Sequence, residues 1–165
     1  MRQHARLSTL GDLLRRLAEG GAYVRHGRLH APADPATWRG HLVPEIHRIA
    51  GRATTEWAAM DSWVQQQPSV TEIEVSLKRL APDQSAAELA RFASVDLAHR
   101  SSLMDPEDAR DLASRAVGLL GPRALWWTNH EDAHSWSGVT GCTFDGMVAG
   151  TDGTFFAVLV QAVED

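Results

Sequence analysis

Leu10, Leu13, Leu14 and Leu17 recur at i, i+3, i+4 and i+7, a spacing that lays one apolar stripe along a helix. Ser8 or Thr9 can cap it and Gly20-Gly21 can stop it, so a helix is predicted from Ser8 to about Glu19. Two short runs flank His26-Gly27 between Ala22 and Ala31. They read as a small β-hairpin in which the glycine supplies a positive φ. Asp34-Pro35 pairs a capping side chain with the proline favoured at the first helical position, opening a helical stretch that restarts at Pro44. From there Ile46, Ile49, Ala50, Ala53, Trp57, Met60 and Val64 keep helical register, Trp63 widens the stripe, and Pro68 stops it. This helix is expected to bury both Trp57 and Trp63.

Residues 70–80 carry two signals. Ser69-Val70-Thr71-Glu72 has the form of a capping box, while Ile73, Val75 and Leu77 alternate as a strand would; the cap favours helix. Ser85-Ala86-Ala87-Glu88 is a second such box, opening a helix to about His99, and Asp105-Pro106 opens another that Gly121-Pro122 closes. Beyond Pro122 the texture becomes β-prone. Ala124 to Thr128, Val139 to Phe144, Met147 to Ala149 and Phe155 to Val163 are the runs, with Asp145-Gly146 and Asp152-Gly153 as turn signals. The last run is apolar on both faces and reads as a central strand. The pattern predicts an α+β fold: N-terminal helices with a small β-hairpin, followed by a C-terminal antiparallel β-meander packed on the helices.

The 165 residues, 44% hydrophobic and 22% charged, suit one globular domain. A division into a helix-hairpin-helix part, 1–66, and an α+β part, 67–165, is compatible with the pattern. No apolar run is long enough to span a bilayer, and a lone cysteine, Cys142, cannot form an internal disulfide. The apolar stretch of a secretory signal does not follow the first ten residues, so a cytoplasmic location is expected. Fifteen of the sixteen basic residues are arginine, a usage that points to a bacterial genome. Charge is graded along the chain. Residues 1–50 balance to +4, residues 51–100 to −2 and residues 101–165 to −7. The acidic C-terminal region disfavours nucleic acid and suits a basic partner.

The succession Thr9-Leu10-Gly11-Asp12-Leu13-Leu14-Arg15-Arg16-Leu17, then Gly21, Tyr23-Val24-Arg25-His26-Gly27-Arg28-Leu29 and Ala31-Pro32 resembles the TubC-type docking domains. These stand at the N-termini of some nonribosomal peptide and polyketide synthase subunits. The resemblance covers residues 8–57. It implies a helix, a β-hairpin and one or two helices, the hairpin receiving an acidic tail of another subunit. Arg25, His26 and Arg28 would then read the acidic groups.

No Walker pattern, dinucleotide glycine fingerprint or nucleophile elbow occurs. Cys142 in a predicted strand reads as a small core residue. The pairs His26/His30, His41/His47 and His130/His134 lie in segments whose expected geometry does not favour a metal, so no metal or cofactor is expected. His130, Glu131, Asp132 and His134 do crowd imidazole and carboxylate into five positions. Trp126 and Trp127 point to opposite faces if they share a strand, which places one at a boundary. With Trp136 it would make an aromatic patch of the kind that anchors interfaces.

Three functions follow. The first is a non-enzymatic protein-interaction module of docking, adaptor or toxin-neutralising type, reading its partner with Arg25, His26, Arg28, Trp127, Glu131, Asp132 and Trp136; a homodimer is one form of it. The second is a small cofactor-independent enzyme using His130, Glu131 and His134 in a pocket between the sheet and the long helix. The third is a DNA-associated regulator acting through the basic first third. The lack of a catalytic motif and the charge asymmetry favour the first.

Overall fold

A computed structural model describes residues 2–165. Helix α1 (Arg2–Leu17) buries Leu10, Leu13, Leu14 and Leu17, as their spacing requires. It starts six residues before the predicted cap. Tertiary contacts hold the extra turns: Arg6 donates to the carbonyl of Leu119 and lies 3.3 Å from Asp152, and Leu7 packs on the core.

The expected hairpin at 22–31 is a single strand, β1 (Tyr23–Arg28), which pairs antiparallel with the last strand of the chain. Gly27 lies within that strand rather than at a turn. Its partner is Phe156, and a Cβ there would come within 3.1 Å of the Phe156 ring. A 3-10 turn (Pro35–Thr37), capped by Asp34, leads into α2 (Trp38–Ala58). The helix runs straight through Pro44 instead of restarting there. One backbone hydrogen bond is forgone, and burial of Leu42, Val43 and Ile46 around the proline offsets it.

Both signals in 70–80 are realised. Helix α3 (Val70–Ser76) has the complete Ser69/Glu72 capping box, and the chain then extends as β2 (Lys78–Leu80). Helix α4 (Pro82–Ser94) begins before the second predicted box, because Ser85 is fully buried and its hydroxyl bonds back to the Ala81 carbonyl. It stops at Ser94, where Asp96 takes the N–H groups of Ala98 and His99 into a turn. Helix α5 (Pro106–Leu120) is capped by Asp105 and ends at Gly121, φ +89°, as predicted.

The remaining strands are β3 (Leu125–Thr128), β4 (His130–Asp132), β5 (Ser135–Trp136), β6 (Phe144–Thr151) and β7 (Phe155–Val163). The main sheet has the order β1-β7-β6-β3-β2, antiparallel throughout. β3, β6 and β7 form the expected meander, and the two edges come from earlier in the chain. β4 and β5 form a separate hairpin inserted between β3 and β6.

β7 organises both cores. Phe155, Ala157 and Leu159 face one side, with α1, α4 and α5; Phe156, Val158 and Val160 face the other, with α2 and α3. Two expectations fail nearby. Asp145-Gly146 does not turn the chain but lies inside β6, where the Asp145 side chain is buried and the Phe92 ring occupies the space a Cβ on Gly146 would take, 2.4 Å away. Val139 to Thr143 is a loop rather than a strand. Asp152-Gly153 does turn the chain, with Gly153 at φ +90° and the Asp152 carboxylate accepting from Thr154 and Phe155. Among the described residues no helix is long and apolar enough to cross a membrane.

Candidate functional site

The insertion between β3 and β6 hangs on two buried polar residues. Asp145 Oδ2 accepts from the N–H groups of Val139 and Thr140 and from the Thr140 hydroxyl, at 2.8–3.0 Å. Asn129 Nδ2 donates to Asp145 Oδ1 at 2.7 Å and to the Ser137 carbonyl, while Asn129 Oδ1 accepts from Met147 N. Burial pushes the Asp145 carboxyl above its ordinary range, and the hydrogen bonds from Thr140, Val139 and Asn129 oppose that rise.

The same loop meets the segment that follows α2. Gln65 N donates to the Gly141 carbonyl at 2.8 Å, and Gly141 N donates to the Thr54 hydroxyl at 3.1 Å. Any Cβ on Gly141 would lie 1.9 Å from the Gln65 carbonyl oxygen, so this approach needs glycine. Gln67 Nε2 donates to the His47 carbonyl, and its side chain rests on Gly51. Between these walls runs a groove of about 920 Å³, lined by His47, Trp63 to Glu72 in part, Trp136, and Gly138 to Thr143 in part. Trp63 at its rim is 79% exposed. The helical pattern had placed Trp63 in the core, but α2 ends at Ala58 and Asp61 turns the chain by accepting the Trp63 N–H. The Asp61-Ser62 pair, a turn former inside an apolar stripe, was the signal available in the sequence.

The predicted site residues are not brought together. Trp127 is 5% exposed, inside the core on the α2 side, with the Arg79 guanidinium over its ring; it is no surface anchor. Trp126 is buried on the opposite face, because β3 is an inner strand covered by helices on both sides. Trp136 is half-buried and stacks on the buried His130 ring, centroids 5.3 Å apart and planes at 12°. Glu131 and Asp132 are exposed on β4 and line a shallow cavity of about 320 Å³ to which Trp136 does not contribute; Glu131 lies 3.5 Å from Lys78. On β1, Arg25 pairs with Glu45 of α2. His26 points the opposite way, against Gly11 of α1, and Arg28 lies over the Phe155 ring.

His130 and His134 share a cavity of about 390 Å³ with Arg91, Asp96, Arg100, Trp136 and Phe144. It lies between the inserted hairpin and the end of α4, away from the long helix α2. His130 Nε2 is 2.7 Å from the Asp145 carbonyl, which can only accept, so Nε2 donates there. Nδ1 lies 3.3 Å from both Arg91 Nη2 and the Asp132 carbonyl. Glu131 is outside this cavity. Cys142, buried in the groove wall, has its thiol pushed up to about 11, chiefly by burial, with Glu164, Asp145 and Asp61 adding to the rise. Among the described residues no three His, Cys, Asp or Glu side chains are grouped to hold a metal ion.

The chain matches no family model, no curated protein and no solved structure.

Proposed function

We propose that this chain is a protein-interaction module of docking, adaptor or toxin-neutralising type, working in a bacterial cytoplasm, and that its partner seats in the groove between Trp63 and Trp136. The observation that carries this reading is Trp63. A tryptophan held 79% exposed at the rim of a concavity of about 920 Å³, with a second indole in the same lining, is what a desolvating partner would cover. The groove chemistry agrees, since a thiol at about 11 stays protonated near neutral pH and is a poor nucleophile.

The resemblance to docking domains points to another face, β1. There Arg25 and His26 project to opposite sides, and Arg25, His26 and Arg28 are already engaged with Glu45, Gly11 and Phe155. The groove is therefore preferred as the principal surface. A photo-crosslinker placed at the exposed Gln66 is expected to capture one host protein in cells, and Trp63→Ala to abolish the capture. Labelling of no protein, or labelling indifferent to Trp63→Ala, would overturn the proposal.

One observation favours a second reading, a small cofactor-independent enzyme: the cavity that receives both His130 and His134. With both nitrogens of His130 engaged, His134 would have to supply the acid or base.

A further inference from the structure

The formal charge in the groove lining is of one sign. No arginine or lysine lines it. Glu72 stands in its wall, while Asp145 and Glu164 are buried behind the loop 138–143 and already hydrogen-bonded to it. The loop 138–143 turns its N–H groups inward: Val139 and Thr140 to Asp145, Gly141 to Thr54, Cys142 to the Thr140 hydroxyl, and Thr143 to Glu164. Five of its six backbone N–H groups are spent in this way. Of the carbonyls of residues 138–143, only that of Gly141 accepts a backbone hydrogen bond among the described residues. The groove thus offers one lining carboxylate, Glu72, and two indole rings, and the side chains of Gln65 and Gln66 add amide carbonyls beside them.

That combination suits a guanidinium or ammonium group. A cation gains from the face of a tryptophan and from nearby carboxylates, and its N–H groups satisfy carbonyls that an anion would leave unpaired. At about 920 Å³, and lined in part by both residues 63–72 and 138–143, the groove has room for several residues of a peptide. Resting on the interaction-module reading, we infer that the partner's docking element is an arginine- or lysine-rich peptide segment whose cationic side chains lie against Trp63 and Trp136 beside Glu72.

The probe is a short fluorescein-labelled synthetic peptide rich in arginine, with glutamine-rich and glutamate-rich peptides of equal length beside it. Binding to the full chain is followed by fluorescence anisotropy at low and high salt. The basic peptide is expected to bind, to weaken as salt rises, and to lose about tenfold in affinity with Trp63→Ala. Glu72→Gln, which keeps the capping box, is expected to lower the affinity and flatten the salt dependence. Equal binding of the neutral or acidic peptide, or binding indifferent to Trp63→Ala, would overturn the inference. The crosslinker at Gln66 separates the two levels. Trp63-dependent capture that the basic peptide does not displace keeps the module and removes the cationic segment; no capture removes both.

Discussion

A carboxylate buried without a cationic partner is costly unless its oxygens are filled, and Asp145 shows how four neutral donors fill them. Oδ2 takes three of these and Oδ1 the fourth, so both oxygens must accept. Asparagine can reproduce one acceptor only, and its amide would confront the Asn129 amide or the loop N–H groups. Asp145→Asn is therefore expected to destabilise the protein by about 1–3 kcal/mol and to loosen residues 130–143. Urea unfolding and amide exchange of that loop would check it. His26 carries a pH signature. Burial, then Arg15 and Arg25, holds its ring below the ordinary 6.5, with Asp12 opposing. As pH drops below 6.5 the unfolded chain takes up a proton that the folded chain resists. The stability of the neutral ring is thus full above 6.5 and is lost as pH falls through the folded value. His26→Gln is expected to flatten this part of the stability curve in urea melts run across that range.

At the scale of elements, the strands depend on who covers them. β3 reads Leu-Trp-Trp-Thr and would leave one indole at a boundary if the sheet had one wet face. Helices cover both faces, so Trp126 and Trp127 are both buried, and glycine makes room where the sheet is tightest. A Cβ on Gly150, the β6 partner of Trp126, would lie 2.3 Å from the indole ring. Gly150→Ala is expected to cost about 1–3 kcal/mol through overpacking, read as a lower urea midpoint with an unchanged slope. The single strand β1 illustrates the same dependence. Its local sequence suits a hairpin, yet β7 has a free edge that only residues 23–28 fill. Pairing there satisfies a row of backbone groups that a local hairpin would have left open.

Across the whole molecule, residues far apart in sequence complete each layer. α1 and β1, from the basic third, pack on α5 and β7. One arginine of the basic third is matched from the acidic end in the process, as Arg6 meets Asp152, while Arg25 meets Glu45 of α2. The groove is likewise a product of distance, since Thr54 and Gln65 meet Gly141 across more than seventy residues.

Periodicity and capping chemistry were enough to place α1, α3, α5, β3, β7 and the Asp152-Gly153 turn, and with them the α+β class, because those signals act within a few residues. The exposure of Trp63 was not legible, because an indole at helical spacing looks the same whether the helix continues or ends. Which strand fills the β7 edge, which tryptophans reach solvent, and that Asp145 and Gly146 serve burial rather than a turn were decided by tertiary structure alone. Each depends on the free energy of covering one surface with a particular partner, and the chain names that partner only once it has folded.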